Sequence, residues 1–586
     1  MEQNDSEKIF YKSKSEFIPY NIKSDFINNN FLLIFVNPKS GSQEGKIILN
    51  YVKAYKESSI RFYDIIHFPI EEEEDDWLFS FTRSRSNSVK SFDEIQINPK
   101  IPEKKNILHP TKFDPNIPFS VIIFNLLNNI EYKNGKNFIK KYLSDFPNNE
   151  MRIIIGGGDG SVLSIIEDLF KENINLEKCI FGAMPLGTGN DLSNAMGFDS
   201  SCEIGIKVEY FQRVLYTYLI ASSIKIDIWN LELKVDKNEG KIYDVLSNGE
   251  IEVKNTKKNL MTYFSKTFIN YMSIGFDAKI GFMFGQKRTS SRICNKVIYA
   301  WEAGKNILKG LFQKSLGLSS LLESLITLEN ENINFNNNDD ISYSKDGNYF
   351  FDEDGFNMLN NKKIIFESID KRKKKNYNPI LLKGNPVVLV GQNINFYMGG
   401  TEHIWGSTNQ VGVQPCGLKR GEKKQFELDL LQKLNKDQLS NDRKIEFITY
   451  NHGMDMGLDR VSRGNARKIH QGSGPFVFTF KNILSKAQKK KLNKVYINID
   501  GEFYHLVQPK QIVISLNDKI CNGQIKFLKN EFAIWRLKQK TVFQKIKKNV
   551  KYYKYSLIIF PYILLLLKYG FDFSIIYLIY MFFLFF

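Results

Sequence analysis

Residues 31–36, Phe-Leu-Leu-Ile-Phe-Val, form an unbroken apolar run that ends at Asn37-Pro38. A run this short, with no polar alternation, predicts a strand buried on both faces. The same pattern returns at Val121 to Phe124, Met151 to Ile155 and Ile180 to Pro185. Helical spacing of apolar positions fills Gly135 to Phe146 and Ser161 to Phe170. Strands alternating with helices predict an α/β domain with a mainly parallel sheet. Ligands in such sheets bind beyond the carboxyl ends of the strands. Asn37, Gly156 and Gly187 each follow such an end, so they can converge on one crevice.

From residue 222 the pattern changes. Strand-like runs dominate: Ile224 to Leu233, Asn385 to Gly391, Ile445 to Tyr450, Phe476 to Phe480, Val495 to Ile499 and Gln511 to Leu516. They predict a second, β-rich domain. The expected organisation is a polar segment over 1–30, an α/β nucleotide-binding domain over 31–221 and a β-rich domain over 222–530. A polybasic linker follows over 531–555 and a hydrophobic segment over 556–586. Residues 70–118, acidic and then rich in serine and basic residues, read as an exposed insertion in the first domain. An Asn-rich stretch over about 328–380 reads as an insertion in the second.

The final segment alters the picture most. Leu557 to Leu567 is apolar apart from Pro561 and Tyr562, and Phe573 to Phe586 is apolar again. Each half is shorter than the roughly 20 residues of a simple spanning helix. Together they predict membrane attachment as a tail anchor, a re-entrant hairpin or an interfacial segment. Arg536 and the lysines from Lys538 to Lys554 precede it, as suits an anionic cytoplasmic leaflet. The net charge of +17 either favours an anionic partner or reflects a general lysine bias. The five cysteines are scattered with no CxxC pair, which excludes a disulfide framework and a cysteine-rich zinc module. The six histidines show no metal-binding spacing.

Three glycine- or polar-rich turns carry the candidate chemistry. Gly156-Gly157-Gly158-Asp159-Gly160-Ser161 lies between a strand and a helix. Its glycines allow close backbone approach, and the helix N-terminus suits a phosphate. Asp159 can cap the turn or act on a metal. Pro185-Leu186-Gly187-Thr188-Gly189-Asn190-Asp191-Leu192 is a second such turn, in which Asn190 or Asp191 can cap the next helix. Asn37-Pro38-Lys39-Ser40-Gly41 is the third, with a lysine able to neutralise phosphate. The GxxxxGK[ST] spacing of a P-loop is absent.

In combination these turns resemble the catalytic domain of the diacylglycerol kinase family. Asn270 to Ala278, Asn395 to Thr401 with Trp405-Gly406, Asn465 to Ile469 and Ile499-Asp500-Gly501-Glu502 resemble its accessory domain. The resemblance spans roughly residues 31–516 apart from the insertions. It implies transfer of the ATP γ-phosphoryl group to the primary hydroxyl of diacylglycerol, with Mg2+; the apolar tail and its basic flank place this at a membrane with the catalytic part facing the cytoplasm, and no nucleic-acid partner is expected. A sphingoid-base or ceramide kinase on the same scaffold, or a catalytically weak membrane scaffold, are the alternatives. The nucleotide would be held by Asn37, Lys39, Ser40, Gly41, Gly156, Gly157, Gly158, Gly160, Ser161, Gly187, Thr188, Gly189, Asn190 and Asp191. Asp159, Asp442 and Glu446 are the candidate catalytic carboxylates. The segment Asn441 to Glu446 departs from the family's Asp-Asp-Gly-x-x-Glu pattern at 441 and 443 but keeps Asp442 and Glu446. Asp277 and Asp500 follow apolar runs and either cap turns or belong to the site.

Overall fold

The computed structural model describes residues 31–531, apart from 41–43, 57–63, 69–118, 199–213, 247–248, 253–262, 313–316, 329–362, 369–378, 482–485 and positions 188, 216, 288, 290–291 and 400. The first apolar run is strand β1 (Phe31–Val36), followed by β2 (Asp64–Phe68), β3 (Phe119–Asn125), β4 (Met151–Gly157), β5 (Cys179–Pro185) and β6 (Ser222–Asp227). β3, β1, β4 and β5 lie side by side and parallel. Leu32 to Val36 and Ile153 to Ile155 are fully buried, which is why these strands are apolar without alternation. Full burial of each such side chain contributes about 1.5–3 kcal/mol.

Register decides where the turns fall. Val36 lies level with Gly156, and Gly156 with Met184. The carboxyl ends of β1, β4 and β5 are therefore flush, and the turns after them meet. The helices Asn129–Asp145 and Asp159–Lys171 are tied to each other by the Tyr132 hydroxyl donating to Asp168 and by Lys136 and Lys140 on Glu172.

The sheet has seven strands, and its last two differ from expectation. The run Ile224 to Leu233 is not one strand. It breaks at Ile228 into β6, at the edge of the first sheet, and Trp229–Val235, inside another. The strand Gln524–Lys529 returns from the far end of the chain and inserts between β5 and β6. The first unit is thus closed by residues on both sides of the β-rich half, and a boundary at 222 cuts through it. A hydrophobic run carries no record of which distant backbone it pairs with, so neither feature shows in periodicity.

The β-rich half is a sandwich of antiparallel sheets of six and eight strands. Trp229, Phe268, Phe476 and Ile512 of the first share one core with Met272, Phe447, Ile497 and Leu506 of the second. Lys363–Glu367, inside the expected Asn-rich insertion, is a strand of the smaller sheet paired with Leu322–Thr327. Among the described residues no helix is long and apolar enough to cross a membrane. The expected hydrophobic segment 556–586, all of the 70–118 insertion and the linker 531–555 beyond Glu531 lie outside the described residues.

Candidate active site

The glycine turn after β4 is built by contacts that leave no room for side chains. A Cβ on Gly187 would stand 2.5 Å from Gly158 Cα, and one on Gly157 would stand 2.7 Å from Ser161 Oγ. Two glycine turns from neighbouring strands therefore press backbone against backbone. The first turn joins them through Asn37 N–H, which donates to the Gly156 carbonyl at 2.8 Å. Asn37 Oδ1 accepts from Lys39 N–H at 3.0 Å, which tightens its own turn and leaves Lys39 exposed. Ser40 Oγ lies 3.7 Å from where a Gly157 Cβ would be. Asn190 adopts a left-handed conformation, φ 56°, and its amide bonds both the N–H and the carbonyl of Gly187.

The helix Asp159–Lys171 begins at Gly158 with no side-chain cap. The first N–H groups of a helix have no partner within it, and together with the helix dipole they suit an anion. Asp159 does not cap its own helix. Its carboxylate accepts from the N–H groups of Asp191 at 2.9 Å and Leu192 at 3.4 Å, so it holds the second glycine turn. Asp191 in turn accepts from the Tyr271 hydroxyl at 3.1 Å and from Gly399 N–H at 2.8 Å. These bonds clasp the β-rich half onto the glycine turns.

Asp500 and Glu502 come to this place from the β-rich half. Strands Val495–Ile499 and Glu502–Val507 form a hairpin in which Ile499 faces Glu502. The two-residue loop, Asp500 at φ 49° and Gly501 at φ 83°, is what an Asp-Gly hairpin turn requires. The Asp500 carboxylate accepts from the N–H groups of Ile269, Asn270 and Tyr271 at 2.7, 2.9 and 3.0 Å. Glu502 points at the glycine turn: its Oε1 lies 3.4 Å from where a Gly160 Cβ would be. Its other oxygen is held by Lys266 at 2.9 Å and the Tyr504 hydroxyl at 2.8 Å.

Negative charge accumulates here. Burial, then the Asp191 and Asp500 carboxylates, push Asp159 up to about 8 against the pull of its two N–H partners. Burial pushes Asp500 up to about 7, although three backbone N–H groups and Lys266 oppose it. A group with cationic character entering the turn would relieve this strain. Among the described residues no cluster of three or more His, Cys, Asp or Glu is set to hold a metal ion by itself.

The structure does not bring Asp442 and Glu446 to the turn. Asp442 bonds Lys444, at 3.1 Å through its N–H, and the next residue, Arg443, donates its N–H to Asp227. Asp227 pairs with Gln524, two residues before the level of Ile180. That is the amino end of β5, about 20 Å along the strand from Pro185 at 3.3 Å per residue. Glu446 is fully buried in the strand Ile445–Tyr450, accepts from Gln471 at 2.8 Å, and burial holds it well above the usual carboxylate range. Asp277 is likewise internal, bonded by Tyr397 at 2.6 Å and by Ser273. Gly41 and Thr188 lie outside the described residues. Glu502, Lys266, Tyr271 and Gly399 had no assigned role from sequence. The Asp-Gly dipeptide between two apolar runs marks the hairpin, but nothing local says that its far side meets Gly160.

Residues 125–212 match the diacylglycerol kinase catalytic domain, and residues 267–503 match the diacylglycerol kinase accessory domain. The chain is 29% identical over 167 residues to diacylglycerol kinase 4 of Arabidopsis thaliana, covering 26% of this chain and 34% of that one. It is 28% identical over 165 residues to diacylglycerol kinase iota of Mus musculus, covering 27% and 14%. To diacylglycerol kinase eta of Drosophila melanogaster it is 35% identical over 80 residues, covering 14% and 4%. The matched stretches thus span only about a third or less of these relatives.

Proposed function

The chain belongs to the diacylglycerol kinase family, and from that premise we propose that it transfers the γ-phosphoryl group of ATP to the primary hydroxyl of a diacylglycerol, giving phosphatidic acid and ADP. The observation that carries this reading is the uncapped N-terminus of the helix Asp159–Lys171, with glycine backbone beside it and the Glu502 carboxylate against Gly160. Phosphoryl transfer asks the protein chiefly for positioning and charge neutralisation. Backbone N–H groups at Gly158 to Gly160 suit the nucleotide phosphates, and the contact of Gly187 with Gly158 shapes their bed. Ser161 and Ser40 supply hydroxyls. Asp159 positions the second turn through the Asp191 and Leu192 N–H groups.

The carboxylates at the turn, Asp159 and Glu502, would suit a divalent cation that arrives with the nucleotide. Such a cation, Mg2+ by this reading, supplies neutralisation of the phosphate charge. Glu502 is the group we assign as general base. The lipid hydroxyl gives its proton to Glu502, its oxygen bonds the γ-phosphorus, and the bond to the ADP oxygen breaks. Lys266 and Tyr504 fix the carboxylate by bonding its second oxygen, leaving the first for the proton.

Labelled ATP offered with diacylglycerol, sphingosine, ceramide and NAD tests the reading. Label is expected in phosphatidic acid. Label in the sphingosine or ceramide product alone would move the substrate class, and no transfer to any acceptor would leave a membrane scaffold.

A further inference from the structure

Among the described side chains of the helix Arg292–Phe312, the fully buried ones are polar and the most exposed ones include Val297 and Trp301. Asn295, Glu302 and Asn306 are 3%, 0% and 4% exposed, whereas Val297 and Trp301 are 44% and 58% exposed. Val297 and Trp301 are four residues apart and so share one face, one turn from each other. A Cβ on Gly304, on the same side one turn further, would meet nothing within 4 Å. The inner face is held by polar contacts. Asn295 bonds Thr289 N–H at 2.7 Å, Lys287 and Lys305 both reach Glu302 at 2.6 Å, and Asn306 Nδ2 donates to the Glu302 carbonyl at 2.8 Å. For a helix whose surroundings are water alone, the hydrophobic effect favours the reverse arrangement.

Charge narrows what the outer face meets. Residues 279–309 contain seven lysines and arginines against a single acid, Glu302. A tryptophan and a valine pointing out of a basic segment are what an interfacial helix presents to an anionic lipid surface. A second copy of the chain would bring an equal positive charge to the same contact, which opposes self-association.

Position adds to this. The helix is joined to the helix Phe276–Gly285 by Tyr299, edge-on to Phe284 at 5.5 Å. Gly281 of that neighbour packs on Phe503, the residue after Glu502. Burial first, with Tyr299 among the lesser causes, holds the Tyr271 and Tyr397 phenols well above their ordinary value. Tyr271 is the residue that bonds Asp191. The helix is thus linked, through Phe284 and then Gly281 against Phe503, to the hairpin that carries Glu502.

We propose that the outer face of this helix, carried by Val297 and Trp301, docks on an anionic lipid bilayer and brings the crevice to a substrate held there. The inference rests on the lipid-kinase reading for its purpose, but its test does not. In the full-length protein, tryptophan fluorescence is followed on adding vesicles of phosphatidylcholine and phosphatidylserine with brominated acyl chains. With Trp77 and Trp535 replaced by phenylalanine in both proteins, Trp301→Phe is expected to lose most of the quenching, because the remaining Trp229 and Trp405 are fully buried. Equal quenching in the two proteins would overturn the proposal. So would sedimentation of the wild type as a dimer that Trp301→Phe converts to monomer with no quenching in either. A kinetic arm uses the double variant Val297→Ser/Trp301→Ser. Activity on diacylglycerol in anionic vesicles should fall about tenfold, while activity on a short-chain diacylglycerol dispersed as monomers should change less than about twofold. An equal fall on both substrates would mean that the residues act on folding, against the proposal. A wild type that phosphorylates neither lipid would end the kinase reading, and the quenching arm would still decide the docking.

Discussion

Asp159 and Glu502 stand on either side of Gly160 and are separated by their environments. Asp159 rises from an ordinary 3.8 to about 8 on folding. Between those values the folded state binds more protons than the unfolded one, so this group's contribution to stability is present at low pH and is lost as pH rises towards 8. Asp159→Asn removes that slope. Its melting temperature should drop less than that of the wild type between pH 5 and pH 8, as followed by thermal unfolding in matched buffers. Two parallel curves would place the raised value elsewhere. Glu502→Gln keeps the hydrogen-bonding shape and removes the proton acceptor. The expected result is a fall in kcat of about 10²–10⁴-fold with the ATP KM little changed. A variant with wild-type kcat would remove Glu502 from the base role. These carboxylates were legible in unequal measure. Asp159 announces itself by its glycines. Glu502 is one acid in a hairpin, and only the packing of that hairpin onto the helix Asp159–Lys171 sets it against Gly160.

At the scale of elements, flush strand ends do most of the work. β1, β4 and β5 are recognisable one by one because burial on both faces leaves no polar position in them. That their ends coincide is a property of register, which places Gly158 and Gly187 in contact. Gly187→Ala is expected to force these turns apart, costing about 1–3 kcal/mol in denaturant unfolding and weakening nucleotide binding. Binding at wild-type strength would show that the close approach serves the fold only. Gly304 gives the opposite case. It lies mid-helix with open space around it, so Gly304→Ala should add about 0.5–1 kcal/mol of stability. The run Ile224 to Leu233 shows the limit of element reading. Its residues favour extended backbone throughout, yet the chain changes sheets at Ile228, because Asp227 N–H bonds Ser440 and Ile228 N–H bonds Gly523.

The whole molecule is interlocked. Gln524–Lys529 pairs with both β5 and β6, so the first sheet is incomplete until the chain has passed through the sandwich. A fragment of residues 31–221 would leave the β5 edge unpaired and apolar core residues such as Phe181 without Phe527. It is expected to lack a cooperative unfolding transition by circular dichroism, whereas a chain ending at 531 should retain one. The apolar segment 556–586 supplies a separate expectation: deleting it should shift the protein towards the soluble fraction, and undiminished retention would assign attachment to other surfaces, the helix Arg292–Phe312 among them.

By itself the sequence determined the α/β character of the first unit, the β-rich character of the second, the three turns that suit phosphate and the family. Each of these is written in short-range pattern: apolar runs, glycine spacing and the residues that flank strands. Tertiary structure decided which carboxylate faces Gly160, which strand closes the first sheet and where Asp442 and Glu446 lie. Those outcomes depend on pairings between residues hundreds of positions apart, such as Tyr271 with Asp500 and Asp191 with Gly399. Hydrophobic periodicity is blind to such pairings because it records how each segment is buried and not what buries it.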